Sequence, residues 1–246
     1  MTENRRLDPL LPSATAVLTA FTLFLGGCAG SAGTNFRNYD GTRTLPTTRT
    51  ILSPDSLHFV ELVLSTDSVN VALAGSYAAL MREWSAQVQS NGPFRPSPFN
   101  TFATLQSKEL TLARLEREER ISSLSAERAR KRVEEVLEKY SETIVFRIHL
   151  FIGADRVSTP YSPLQQRVVA TLHVDGDRTY ESVRTEKSSV EFENRGGSGV
   201  YRFPILAYFD RHVNGRDLLT DSEKWTLSIR PFPDPTELTF GWRRAQ

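Results

Sequence analysis

The chain has 246 residues, with 30 Lys and Arg against 29 Asp and Glu and a hydrophobic share of 39%. That composition supports a real core and excludes a disordered or fibrous chain, and a net charge of +1 excludes the broad basic field that nucleic acid requires. A single Cys excludes an internal disulfide, a CxxC redox pair and a cysteine-built zinc site, so stability must come from packing.

Arg5 and Arg6 open the chain, and Ala14 to Leu25 is apolar apart from Thr15, Thr19 and Thr22. Charge followed by an apolar run is the order of an export signal. The run falls short of the roughly 20 residues of a membrane span and ends in Gly26 and Gly27, so residues 1–27 are predicted to be a cleaved signal peptide. Leu25-Gly26-Gly27-Cys28 resembles the lipobox of bacterial lipoproteins, although Pro9, Pro12, Glu3 and Asp8 depart from the usual flanking pattern. The resemblance covers only the first thirty or so residues. It implies that the Cys28 thiol receives a diacylglyceryl group, that the bond between Gly27 and Cys28 is cut, and that the new amino terminus is acylated. Several acyl chains, at about 0.8 kcal/mol per buried CH₂, make a durable membrane anchor. Ala29, where an Asp would imply inner-membrane retention, implies placement at the outer membrane, on its periplasmic or surface face.

Residues 28–53 are rich in Gly, Ser, Thr, Asn and Arg and are predicted to form a flexible tether, with Arg37, Arg43 and Arg49 solvated. Residues 54–141 are expected to form the mostly helical first part of one globular body. Within it Ser56 to Leu64 reads as a strand, and Ser76 to Gln89 as an amphipathic helix that buries Trp84, with Tyr77, Leu80, Met81 and Val88 on the same stripe. Lys108 to Tyr140 is a long charged helical segment, supported by Glu116–Arg120, Glu127–Lys131 and Glu135–Lys139 pairs at i, i+4. Leu112, Leu115, Ala126, Ala129, Val133, Val136, Leu137 and Tyr140 share one face at about 100° per residue, whereas Ile121 and Leu124 fall opposite and are expected to look outward. The stripe breaks near Ser122 and Ser123, which argues against a continuous coiled coil.

From residue 142 the period changes to two. Ile144, Phe146, Ile148, Leu150 and Ile152 alternate with Val145, Arg147, His149 and Phe151, giving a strand with a partly covered second face. Asp175-Gly176 between alternating runs marks one hairpin, and Arg195 to Gly199 between "SSVEFEN" and "VYRFPILAYF" marks another. Lys224 to Phe232 and Glu237 to Arg244 are the last strands, with Trp225, Leu227 and Ile229 on one buried face. The fold expected is α+β, with residues 142–246 an antiparallel β-sandwich-like part of about six to eight strands preceded by the helical segments.

No motif promotes a catalytic residue, and no cofactor or metal is expected. His58, His149, His173 and His212 lack metal spacing, and His149 and His173 fall on the polar phase of their strands. Gly196 to Gly199 lacks the last glycine of a nucleophile elbow, and Asp175, Asp177 and Glu181 lack the order of a calcium loop. The expectation is a non-catalytic envelope lipoprotein, attached to the membrane by its lipids, that contacts another envelope protein and not nucleic acid. Ile121, Leu124, Tyr201, Tyr208 and Phe209 are the candidate contact residues. The alternatives are a module that binds carbohydrate or another small ligand and, more weakly, a periplasmic hydrolase with a carboxylate pair. Replacing Cys28 by Ala is expected to leave the protein unprocessed or released from membranes; an intact mass showing an unmodified chain that begins at Met1 would refute lipidation.

Overall fold

The computed structural model describes residues 45–88, 101–153, 168–195, 198–231 and 237–246, all within the unit Asn38–Gln246. The described residues form a mixed α+β body built mostly of antiparallel strands. The expected signal peptide and lipobox, including Gly27 and Cys28, lie outside them.

The first element shortens the expected tether. Strand β1 (Thr48–Ile51) pairs in parallel with the last strand of the chain, Thr48 opposite Gly241 through Ile51 opposite Arg244. Three of its four residues are β-branched and suit an extended backbone. Arg49 is not solvated: its Nη2 donates to the Arg82 carbonyl at 2.6 Å and its Nε to the Ser85 carbonyl at 3.2 Å. Strands β2 (Val60–Leu64) and β3 (Val69–Leu73) follow as a separate antiparallel pair that buries Val60, Val69 and Val71, so residues 54–141 hold more strand than expected.

Helix α1 (Tyr77–Glu83) starts as predicted, with the Ser76 hydroxyl accepting the Ala79 N–H at 3.1 Å. It ends at Glu83 rather than Gln89, because the next residues find partners far away in sequence. Strand β4 (Ser85–Gln87) pairs with β5 (Phe102–Leu105), and the Ser85 hydroxyl caps the Met81 carbonyl at 2.7 Å while meeting the Thr104 hydroxyl at 2.7 Å.

The long charged segment is two helices. Helix α2 (Lys108–Glu119) is capped by Ser107 and stops at Arg120, whose φ of 48° is left-handed; a 3-10 turn at Ile121–Ser123 leads to α3 (Ala126–Glu142). Glu116, expected to pair with Arg120, instead accepts the Ser122 N–H at 2.9 Å and the Ser122 hydroxyl. The Pro54 carbonyl accepts both the Lys108 N–H and the Tyr140 hydroxyl at 2.9 Å, so the start of α2 and the end of α3 meet and the helices run antiparallel. Arg132 on α3 clasps Glu119 at the end of α2 through two N–H donors at 2.7 and 2.8 Å. The left-handed residue resets the helical phase, and this corrects the expectation for Ile121: it is 0% exposed against β3. Leu124 is exposed, as expected.

The remaining strands are β6 (Thr143–Gly153), β7 (Val168–Val174), β8 (Arg178–Glu181), β9 (Arg184–Lys187), β10 (Glu191–Arg195), β11 (Ser198–Asp210), β12 (His212–Val213), β13 (Arg216–Asp217), β14 (Lys224–Pro231) and β15 (Leu238–Arg244). One sheet runs β1-β15-β14-β7-β8; the other runs β10-β11-β6-β5-β4, with β9 also on β11. The predicted hairpin at Asp175-Gly176 is present, with φ of 53° and 87°. Val183 links β8 in the first sheet to β9 in the second, its N–H donating to the Tyr208 carbonyl at 2.9 Å. Pro204 sits inside the long strand β11 because its missing donor falls between partners: β10 pairs up to Arg202 and β9 begins at Ile205. The Pro204 carbonyl, on that same side, accepts the Ser188 N–H at 3.0 Å.

Trp84, Trp225 and Trp242 are buried, as are Leu227 and Ile229, and Phe146 on β6 packs on Trp242 of β15 with ring centres 5.0 Å apart. A chain of hydrogen bonds leaves this core. Trp242 Nε1 donates to the Trp84 carbonyl at 3.0 Å, Trp84 Nε1 donates to Glu109 Oε1 at 2.9 Å, and Glu109 Oε2 accepts the His58 and Phe59 N–H groups, each at 3.0 Å. Below the helix pair, Arg211 holds Asp55 through Nη1 at 3.0 Å and Nη2 at 2.6 Å, and Asp217 through Nη2 at 2.6 Å. Burial raises the Asp217 pKa, but the Arg211 guanidinium and the Leu219 and Thr220 N–H groups outweigh it and hold the carboxyl below its usual range.

Two stability tests follow from these bonds. Glu109 is 1% exposed, so Glu109→Ala orphans the buried Trp84 Nε1 and two part-buried backbone donors and is expected to destabilise the fold by about 2 kcal/mol or more in urea unfolding. Glu109→Gln, which keeps one acceptor oxygen, is expected to cost less. Because the folded pKa of Asp217 is depressed, its contribution is complete above the unfolded value of about 3.9 and is lost as pH falls through the folded one. Asp217→Asn is therefore expected to lower stability at pH 7 and to flatten its decline below about pH 4, read from urea midpoints across pH.

Candidate functional site

The helix pair does not lie flush on the six-stranded sheet. A cleft of about 180 Å³ opens between them, with Thr111 and Arg114 from α2, Val136, Lys139 and Tyr140 from α3, Val145 from β6, and Leu206 and Tyr208 from β11 on its walls. Helical spacing places Thr111 with Arg114 and Val136 with Lys139 and Tyr140, while strand alternation places Val145 with Arg147. Gln106, between β5 and α2, closes one end; Arg132 and Glu135 form part of the lining from α3.

The charges in the cleft differ in how well they are satisfied. Arg132 is neutralised by Glu119 and by Glu135, the latter at 3.2 Å. Arg114 has only Glu118, at 4.0 Å. Lys139 sits over the Tyr208 ring at 5.8 Å, and Arg184 over the same ring at 4.2 Å. The Tyr208 hydroxyl donates to Glu186 Oε2 at 2.7 Å; burial first, and then this acceptor, raise its pKa, so it stays a neutral phenol. Arg147 is not itself on the cleft wall; it lies opposite Thr104 on one side and the lining Leu206 on the other, one alternation along β6 from the lining Val145. It is half-buried and makes no hydrogen bond or ion pair among the described residues. Burial, and next the charge of Arg114, depress its pKa.

The candidate contact residues scatter instead of converging. Ile121 is core under the helix turn, and Phe209 is core at 0% exposure because it occupies the inward phase of β11, edge-on to Phe146 at 5.9 Å. Tyr208 is buried at 7% exposure, but its ring edges the cleft. Leu124 and the half-buried Tyr201 reach the surface in different places, Tyr201 beside the exposed Phe192 with ring centres 5.1 Å apart. His149, on the polar phase of β6, lies in the interior. It is 1% exposed and stacked on Phe102 at 4.6 Å, and burial, then Arg147 and Arg202, hold its pKa well below the usual range.

Carboxylates that composition left open have structural work. Asp55 and Asp217 share Arg211, and Asp175 Oδ1 accepts the Glu223 and Lys224 N–H groups at 2.9 and 3.0 Å. His173 contacts the Thr179 hydroxyl at 3.1 Å. Sequence reasoning missed Gln106, Thr111, Arg114, Lys139 and Arg147 as a group. The one signal available was Arg147, a lone cation in a strand phase otherwise filled by Val145, His149 and Phe151. No protein-family model, curated protein or solved structure matches this chain.

Proposed function

We propose that this protein is an exported lipoprotein of the cell envelope, anchored through Cys28, whose globular body binds a small polar ligand without transforming it. The observation that carries the reading is the cleft between the helix pair and the six-stranded sheet, where apolar side chains and unsatisfied polar ones converge. The body is read as an antiparallel sandwich-like arrangement, supported by the packing of Phe146 from one sheet on Trp242 of the other. The placement is the outer membrane, supported by the small residues before Cys28 and by Ala29 after it. A protein-contact role loses Ile121 and Phe209 to the core, which weakens the surface it would use. The Phe192 and Tyr201 rings favour a second reading, stacking of a sugar on an exposed aromatic pair.

Native mass spectrometry of protein extracted from membranes in mild detergent tests the cleft. Wild type is expected to carry a small-molecule adduct that is lost in Val136→Trp, whose added ring fills the cleft, while the melting temperature stays within a few degrees. An adduct that survives Val136→Trp but is lost in Phe192→Ala would move binding to the aromatic pair. Wild-type protein free of any adduct would refute the reading.

A further inference from the structure

We propose that the cleft is a phosphate receptor, in which Arg114, Lys139, Gln106 and Thr111 on its wall, with the guanidinium of Arg147 reaching in from the next position along β6, hold the dianionic phosphate of a small soluble phosphomonoester. The proposal deepens the cleft-binding reading and rests on it. Three other buried or half-buried arginines are held: Arg211 by two carboxylates, Arg132 by two, Arg49 by two carbonyls and Glu83. Arg147 is the contrast, a half-buried guanidinium with five donors and no acceptor among the described residues. Arg114, whose single carboxylate Glu118 stands at 4.0 Å, is a second cation near enough to lower the Arg147 pKa, an effect that Glu118 partly offsets. Two arginines close together in a partly desolvated place repel, and an anion between them reverses the sign of that interaction.

Neutral groups in the cleft point the same way. Gln106 is 6% exposed, yet its Oε1 has no partner and its side-chain amide makes no hydrogen bond among the described residues. A half-turn of that amide exchanges its oxygen for an N–H donor, so the group can serve an oxyanion. Thr111 is also buried, lines the cleft, and has a hydroxyl with no hydrogen bond among the described residues. The lining carboxylate, Glu135, is paired with Arg132, which leaves Glu118, 4.0 Å from Arg114, as the carboxylate that a bound anion must outcompete. Charge selects phosphate over a single carboxylate. Arg114, Arg147 and Lys139 supply three cations, and a phosphomonoester carries between one and a half and two negative charges, about −1.5 to −2, at pH 7.

Isothermal titration of the full-length protein in neutral detergent micelles with inorganic phosphate and with glycerol 3-phosphate tests this. One site is expected, and its dissociation constant should rise at least tenfold in Arg147→Met and in Arg114→Met, with partial recovery in Arg147→Lys. Unchanged circular dichroism and melting temperature certify each variant, and Arg114→Met, on the helix instead of the sheet, serves if Arg147→Met does not fold. Micelles doped with phosphatidic acid are expected to leave the phosphate affinity unchanged. A tenfold loss there would assign the cleft to a lipid headgroup and overturn the soluble source. If neither phosphate compound binds wild type, or if both bind Arg147→Met as tightly, the phosphate assignment is overturned. In that case an adduct still lost in Val136→Trp keeps the cleft as the binding place, and the absence of any adduct removes both readings.

Discussion

The buried carboxylate of Glu109 is the constraint on which the arrangement turns. It lies in the first turn of α2, where the helix dipole favours a negative group, and it is spent on neutral N–H donors from two other segments. Through Trp84 it reaches Trp242, so the last strand of one sheet, the end of α1, the start of α2 and the approach to β2 share one line of hydrogen bonds. Removing water from a carboxylate is expensive unless its lone pairs are filled, and three donors fill them. The geometry of α2 on the body, and hence one wall of the cleft, is set here.

The other wall depends on a single residue's backbone. Arg120 in the left-handed region ends α2 and lets α3 return along it, and Ile121, driven under β3, holds the turn down. A helix continuous through Ser123 would carry Val136 and Lys139 away from Thr111 and Arg114, and the cleft would not exist. A non-glycine residue pays conformational energy in that region, and the bonds that Ser122 donates to Glu116 offset it.

What was legible in the sequence is what local chemistry decides. The alternation in β6, the Asp175-Gly176 turn and the buried phase of Trp225, Leu227 and Ile229 are visible because strand period and positive φ are properties of neighbouring residues. Asn214-Gly215, with φ of 53° and 76°, is an equally good turn signal between β12 and β13. The early end of α1 was not legible, since the residues that pull Ser85 to Gln87 into a strand lie at Phe102 to Thr104. The outward placement of Ile121 failed because an angle of 100° per residue holds only while the helix does. The cleft was illegible because its walls come from α2, α3, β6 and β11, and nothing in any one of them announces the others.

Strand β1 has a mechanical consequence. Its backbone belongs to the five-stranded sheet, while its flanks reach the edge of the other: the Gln87 N–H donates to the Pro46 carbonyl at 2.9 Å, and Arg49 grips Arg82 and Ser85. If the protein hangs from an anchor at Cys28, tension from the membrane enters the described residues through β1. A strand laced to one edge alone would peel away one hydrogen bond at a time. Laced to both sheets, it must break its ladder to β15 and the Arg49 clasp together, so the load is spread across the body before it yields.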